Sequence, residues 1–420
     1  MIPAGRIGLS LDEAIETVLS NVTPLGGESV GVSDCVGRAL AEDVISPIDL
    51  PLWDNSSMDG YAVRRADVLG ASMINPAVMP VLETIMAGST ARPTIVEGKC
   101  ARIMTGAPIP PGADAVVRVE DTDRGVKSVR ITDDRDARSP SGNIRPRGED
   151  IRTGEVVFTI GTTLCAVHAG VLASVGAKTV PVHKAPRVAL VSTGDELVGV
   201  DQFAEVRAGK RIVSSSSYAL PPWLSAIGAV VHTVPLLPDN LAAIRDGISA
   251  ALDAGCDLLI TTGGVSVGAH DYTRDALEAL GADIAFWRAR IRPGGPIGVG
   301  TVRGIPWLGL PGNPVSTMVT AELFARPLLR KLAGHSQLHS PRLRVRLAEP
   351  MRGGIGLTHL LRVVVARDGE GNLEAKLAGR QGSNLLRTLA MSNALVVMPD
   401  TRDGAAAGEY LDAIIIGDVH

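Results

Sequence analysis

At 420 residues, 45% of them hydrophobic, the chain is too long for one ordinary core and carries material for roughly two to four. A net charge of −4 without any basic block argues against nucleic-acid and acidic-membrane partners. No apolar run approaches the ~18 residues of a membrane helix, the N-terminus lacks a secretion-signal pattern, and Cys35, Cys100, Cys165 and Cys256 are scattered like the reduced thiols of a cytoplasmic protein.

The first helix is announced by a capping box, Ser10-Leu11-Asp12-Glu13, after which Ala14, Ile15, Val18 and Leu19 share one face. In residues 28–49, VGRALAEDV predicts a second helix, closed by Pro47. Residues 51–64, PLWDNSSMDGYAVR, form a turn-rich polar loop running into a strand. It reads either as plain surface or, with its acceptors crowded beside Trp53, Met58 and Tyr61, as a functional loop. From Val81 to Ile131 short β-rich pieces alternate with glycines, and ARIMTGAPIPPGADAVVRVED holds a proline-rich turn between two strands. In NIRPRGEDI, Arg145 and Arg147 stand near Glu149 and Asp150, as a solvated ion-pair loop or an anion site. Helix returns within residues 152–184, so the β segment reads as an insertion into a helical domain.

From Pro186 to Gly334 the rhythm is βαβ. Pro221-Pro222 predict the first turn of one helix. Residues 335–420 alternate like a small all-β domain. The expected division is 1–50 with 146–184, helical; 51–145, an inserted β domain; 185–334, a doubly wound α/β domain; and 335–420, a C-terminal β domain.

Ligands of such α/β folds bind beyond the C-terminal strand ends. Those ends carry Thr193-Gly194-Asp195-Glu196, Asp239, Thr262-Gly263-Gly264 and Pro311-Gly312-Asn313-Pro314. The stretch DLLITTGGVSVGAHD organises the rest: a buried strand breaks at Gly263-Gly264, a backbone cradle for phosphate ahead of a helix, with Asp271 at the helix mouth. Glu196, Asp239 and Asp271 are hard carboxylates suited to Mg²⁺ bridging phosphate oxygens; singly, each also reads as a helix cap. Ser316 starts a long helix with free N–H donors. Arg288, Arg290 and Arg292 alternate, which on a strand makes one cationic wall. Gly264-Val265-Ser266-Val267-Gly268 also fits a hydrolase nucleophile elbow, which would need His335, His339 or His359 as its base.

DNSSMDGYAV, RIMTGAPIPPGADAVV, NIRPRGEDI, STGDEL, ITTGGVSVGAHDY, RPGGPIG and LPGNPVS, in this order and spacing, resemble the molybdopterin molybdenumtransferase family, and the likeness runs on through GSNLLRTLAMSNALVVMP. The resemblance implies a cytoplasmic homodimer in molybdenum-cofactor synthesis. Its reaction would be Mg²⁺-dependent insertion of molybdate into adenylylated molybdopterin with release of AMP. It implies that Asp59 enters a cleft from one subunit and that Glu196, Asp239 and Asp271 handle metal and the adenylyl phosphate. Thr193, Gly194, Thr262, Gly263, Gly264, Ser266, Gly312 and Asn313 would line the pterin site. Arg292, Pro296, Ser316, Arg362 and Ser383 would meet the oxyanion. Other cofactor-synthesis proteins or molybdoenzymes are the implied partners. Two positions depart from the family pattern. KPGKP is Arg292-Pro293-Gly294-Gly295-Pro296 here, and a usual Asn is Ser216. Losing one cation beside a doubly charged oxyanion costs about 1–3 kcal/mol, so a weakly catalytic paralogue that carries molybdopterin to a partner enzyme is the second reading.

Overall fold

A computed structural model describes residues 6–89, 92–265 and 272–419. The chain divides into two compact units, Met1–Ala41 with Gly161–Cys165 and Thr179–His420, and Glu42–Ile160 with Ala166–Lys178.

The first unit is built on a seven-stranded sheet in the order Arg6–Leu9, Asp283–Ala289, Pro296–Val302, Ile305–Leu310, Leu258–Thr262, Arg187–Ser192, Val230–Thr233. Pro296–Val302 runs against its neighbours and the other pairings are parallel, so the sheet is mixed where the βαβ rhythm alone predicts a parallel one. A tight turn at Arg303-Gly304, both at positive φ, makes that hairpin. Alternate residues of each central strand enter two cores. Val188, Leu190, Leu258 and Ile260 pack on one face with helices Leu11–Leu19, Ser215–Ala226 and Pro314–Thr320. Ala189, Val191 and Leu259 pack on the other with Leu241–Asp253 and Tyr272–Ala279. Burial on both faces explains why these strands read as continuous apolar runs.

Strands Thr358–Arg367, Leu373–Leu377, Arg342–Leu347, Tyr410–Ile415 and Ala394–Met398 pair in a ring that closes back on the first. Closure removes the free edges that an open sheet would present. Val345, Val363, Ala375, Val396 and Ala413 fill its interior. Leu360, Leu395 and Ile414 turn outward into the sheet's own core. The short strand Ile291–Arg292 pairs in parallel with Thr358–His359, joining the cationic segment to the barrel.

The second unit holds a five-stranded sheet, Ala115–Arg118, Gly60–Val63, Cys100–Ile103, Ala77–Ile85 and Ser128–Ile131. Its longest helix among the described residues is Ala166–Ser174. The protein is thus a multidomain α/β chain with a central mixed sheet and a C-terminal small β-barrel.

Three helical expectations change. The capped helix Leu11–Leu19 forms as the capping box dictates, but its apolar face joins the central sheet's core and not a separate helical domain. VGRALAEDV is not helical: Gly37 takes φ +84, and Ala39 and Leu40 bridge to Thr163 and Val182. Propensity there yields to buried β-bridges. Pro221 and Pro222 lie inside Ser215–Ala226, not in its first turn. The helix starts at Ser215, after Ser214, whose Oγ lies 2.6 Å from Ser217 Oγ, which in turn donates to Ser192 Oγ (3.2 Å). No described helix is long and apolar enough to cross a membrane.

Candidate functional site

The parallel register sets the site. Ser192 pairs with Thr262 and Thr262 with Leu310, so three strands stop at one level. Thr193 N–H donates to Thr262 O (3.2 Å), Gly263 N–H to Leu310 O (3.1 Å) and Gly194 N–H to Leu237 O (3.2 Å). The turns that follow must therefore converge, and they enclose a cavity of about 780 Å³.

Its rim carries Thr193, Gly194, Glu196, Asp239, Thr262, Gly263, Gly264, Gly312 and Asn313, which brings together every described residue expected around the pterin. Gly263 (φ +88) and Gly264 (φ +63) are consecutive left-handed residues. A Cβ on Gly263 would stand 2.9 Å from Thr193 O, and one on Gly312 would lie 3.7 Å from the Gly263 Cα. The bare backbone thus forms the wall, as an anion cradle requires. Asp195 and Asp239 lock two of the turns reciprocally: Asp195 N–H donates to Asp239 Oδ2 (3.3 Å), and Asp239 N–H to Asp195 Oδ1 (3.1 Å). Asn240 caps the helix after Asp239, which leaves the Asp239 carboxylate on the cavity side. Beneath the rim lie two separate sets of hydroxyl hydrogen bonds. Thr262 Oγ1 donates to Ser192 Oγ (2.9 Å), Ser216 Oγ to Thr317 Oγ1 (3.3 Å), and Thr317 Oγ1 to Pro311 O (2.6 Å).

A second cavity, about 510 Å³, adjoins the first and shares Pro296 and Asn313 with it. Arg288, Arg290 and Arg292 line it and are exposed, while Ala289 and Ile291 between them are buried. The alternating arginines therefore make the cationic wall that strand geometry predicts. Opposite stand Ser316 and the barrel segment Gln381-Gly382-Ser383. Ser383 O accepts from Val315 N–H (3.3 Å), at the first turn of the helix that carries Ser316.

Arg362 sits elsewhere than the oxyanion expectation puts it. It is 1% exposed and lines neither cavity. Its Nη1 and Nη2 donate to Gly382 O (2.9 Å) and Arg380 O (3.0 Å), and Gln381 bonds both its N–H and its carbonyl. Burial pulls its pKa below the ordinary guanidinium value. It shapes the loop that faces the arginines.

Asp271 and Ser266 lie outside the described residues. Among the described residues no group of three or more His, Cys, Asp or Glu is arranged for a metal ion; Glu196 and Asp239 are the two acids on this rim. His335, His339 and His359 line neither cavity, and His335 is buried against Thr163 Oγ1 (2.6 Å), its pKa pushed down to about 4 by burial. The hydrolase arrangement has no base at these cavities among those three.

In the other unit, Asp59 Oδ1 accepts from both the N–H and Oγ1 of Thr105, each 2.7 Å, which holds its carboxyl below the usual range. Gly60 is obligatory there, since a Cβ would meet Val117 O at 2.0 Å. The polar loop is no loose surface: Ser56 is buried and Asn55–Ser56 pair with Ile144–Arg145. Arg147 pairs with Asp49, not with Glu149 or Asp150. Gln381, Gly382 and Asn384 are given no site role by the sequence reading, and Asp195 is read only as part of a strand end. The Gly-Ser-Asn turn at 382–384 was the available signal for the first three, whereas the Asp195–Asp239 exchange is visible only once the strands are in register.

The MoeA N-terminal region, domains I and II, matches residues 9–176, a probable molybdopterin binding domain matches 189–331, and the MoeA C-terminal region, domain IV, matches 344–416. A molybdopterin molybdenumtransferase of Haemophilus influenzae is 34% identical over 408 residues, covering 96% of this chain and 97% of that one. Molybdopterin molybdenumtransferase 2 of Mycobacterium tuberculosis is 37% identical over 391 residues, 91% and 93% of the two chains. The crystal structure of a molybdopterin biosynthesis MoeA protein from Pyrococcus horikoshii superposes with a TM-score of 0.82 at 27% identity, over 97% of this chain and all of that one. With full-length relatives above 30% identity and the family's regions in order, this chain belongs to the MoeA family of molybdopterin molybdenumtransferases, enzymes of molybdenum cofactor biosynthesis.

Proposed function

We propose that the chain inserts molybdate into adenylylated molybdopterin with release of AMP, holding the two substrates in the two adjoining cavities. The observation that carries this is their contrast across a shared edge. One is walled by bare glycine backbone and two carboxylates, the other by three arginines, and they meet at Pro296 and Asn313. The pterin phosphate lies on the Gly263-Gly264 backbone beside Thr262, and molybdate lies between the arginines and Ser316 and Ser383. Glu196 and Asp239 offer hard oxygen donors to Mg²⁺, which when bound offsets the negative charge of the adenylyl phosphate. Asp271 completes that set in the family resemblance. Proximity does much of the work: two anions that repel in water are held edge to edge, one on the glycine N–H cradle beside the cation its carboxylates would hold, the other against the arginines.

Asp59 is assigned to the site of a partner subunit in a homodimer, as the family resemblance implies. Its carboxylate, kept ionised by Thr105, suits a charge-bearing role. Arg362 acts by holding the 380–383 loop and not by touching the oxyanion.

The test is AMP release by the purified chain supplied with adenylylated molybdopterin, Mg²⁺ and molybdate, against the same mixture without molybdate. Molybdate-stimulated release supports insertion. Tight pterin binding with no release above background overturns it in favour of the carrier reading, which Gly295 motivates by leaving the turn at 292–296 with one cation.

A further inference from the structure

We infer that Thr320, fully buried and lining neither cavity, is a positioning residue for the arginine-walled one: its methyl is the spacer that sets the turn at 292–296 against the helix carrying Ser316. The inference rests on the oxyanion reading of that cavity and names a residue that fixes its dimensions.

Arg292, Pro293, Gly294 and Gly295 line the cavity from the turn, and Ser316 lines it from the helix. Gly294 takes φ +96, and a Cβ there would stand 2.4 Å from Thr320 Cγ2 and 3.5 Å from Ser316 O. The bare backbone of Gly294 therefore rests on the Thr320 methyl, about one helical turn from Ser316. The hydroxyl decides which branch of Thr320 faces the turn. Threonine in a helix takes either of two rotamers, because its hydroxyl can bond back to carbonyls three or four residues earlier. Here Oγ1 bonds back to Ser316 O (2.8 Å) and Thr317 O (3.1 Å), which leaves Cγ2 toward Gly294. Thr320 thus touches both walls at once, the Ser316 carbonyl through its hydroxyl and the turn through its methyl.

Both walls are tied down well enough for one methyl to count. At the helix start, Thr317 Oγ1 donates to Pro311 O (2.6 Å) and Val315 N–H to Ser383 O (3.3 Å). Just past Thr320 the helix widens into a π turn, Ala321–Ala325, where buried Glu322 accepts from Arg326 Nε (2.8 Å) and Ser340 Oγ (2.5 Å). The helix is therefore pinned on either side of Thr320 and does not slide to follow a shortened side chain. On the turn, Ala289 N–H donates to Gly295 O (3.0 Å), and Ile291–Arg292 pair with Thr358–His359. A missing methyl is then taken up at Gly294, between those anchors, and displaces the turn relative to Ser316.

Equilibrium dialysis of the full chain against molybdate and, separately, against adenylylated molybdopterin reads this, with urea unfolding to show that each variant is folded. Thr320→Ser keeps the hydroxyl and removes the spacer: it weakens molybdate on the order of ten-fold, the scale of a sub-ångström misplacement, and leaves the pterin affinity unchanged. Thr320→Val keeps a methyl facing Gly294 in valine's preferred helical rotamer, and retains wild-type molybdate binding. Gly294→Ala drives a Cβ into the Thr320 methyl and weakens molybdate. Thr320→Ser vacates that space, so the double variant binds molybdate more tightly than Gly294→Ala alone, a coupling that two unrelated losses would not show. Wild-type binding in Thr320→Ser, an equal loss in Thr320→Val, or additive effects of Gly294→Ala and Thr320→Ser overturns the spacer. So does an equal weakening of both ligands, which marks a general loosening of the fold. Molybdate uptake that Arg292→Ala leaves unchanged removes the oxyanion reading itself, and the inference with it.

Discussion

Gly263→Ala probes the cradle, and its cost can be divided in advance. At φ +88 any side chain is strained, by about 1–2 kcal/mol. The new Cβ would also stand 2.9 Å from Thr193 O and 3.2 Å from Thr193 Oγ1. The hydroxyl can rotate away, but the carbonyl belongs to a backbone whose N–H is bonded to Thr262 O. Relieving the contact must therefore part the two strand ends, adding on the order of 1–3 kcal/mol. Gly281→Ala is the matched control: φ is +78, yet nothing lies within 4 Å of a Cβ there. Urea unfolding followed by tryptophan fluorescence suits the comparison, because Trp223, Trp287 and Trp307 all lie in the unit that carries both glycines. Gly281→Ala is expected to lose about 1 kcal/mol and keep its AMP release. Gly263→Ala is expected to lose more than twice that and to drop AMP release by about ten- to hundred-fold, since the donors move by tenths of an ångström. Equal losses in the two variants, with activity intact in both, would refute the claim that close approach at Gly263 builds the site.

Two further outcomes follow from the same geometry. Gly295→Lys places a Cβ 3.1 Å from Ile291 O and 3.4 Å from Ala289 O, a crowding the turn can absorb by shifting slightly. The added cation is expected to tighten molybdate by about ten-fold; unchanged or weaker binding in equilibrium dialysis means the carbonyls win. His335, whose pKa falls from 6.5 to about 4 on burial, binds fewer protons folded than unfolded between those values. Its contribution is therefore intact above about pH 6.5 and declines toward pH 4, by at most about 1.4 kcal/mol per pH unit. His335→Asn should flatten that part of the stability curve in urea unfolding from pH 4 to 7, and an identical slope would assign the loss to other groups.

How much was legible depended on whether a signal was local. The capping box at Ser10 and Glu13 needs four residues, and it formed as read. The arginine wall needs only period-two alternation, and the burial of Ala289 and Ile291 bears it out. What failed depended on distant partners. Pro296–Val302 is antiparallel because a two-residue turn feeds Ile305–Leu310, which an apolar run cannot announce. VGRALAEDV has helical composition, yet Ala39 and Leu40 find partners more than a hundred residues away at Thr163 and Val182. Arg362 was expected at the oxyanion only from the family resemblance; its burial and the carbonyls it meets depend on the folded barrel and the 380–382 loop.

The homodimer assignment can be tested without seeing the dimer. Asp59 belongs to one compact unit and Glu196 to the other, and the proposal gives the two residues to one site drawn from two chains. Asp59→Asn and Glu196→Gln are each expected to abolish most AMP release when expressed alone. Co-expressed in equal amounts, the two inactive chains give different answers under the two arrangements. If each site takes Asp59 from one chain and Glu196 from its partner, every mixed dimer holds one site with both changes and one with neither. Random pairing then restores about one quarter of wild-type activity, since half of the dimers are mixed and half of their sites are intact. If Asp59 and Glu196 act within the same chain, every site carries one change or the other and the mixture stays inactive. Recovery near one quarter in the mixture, rising to about one half in mixed dimers purified through two different tags, supports the shared site. Silence in dimers shown to contain both chains would return Asp59 to a role within its own subunit.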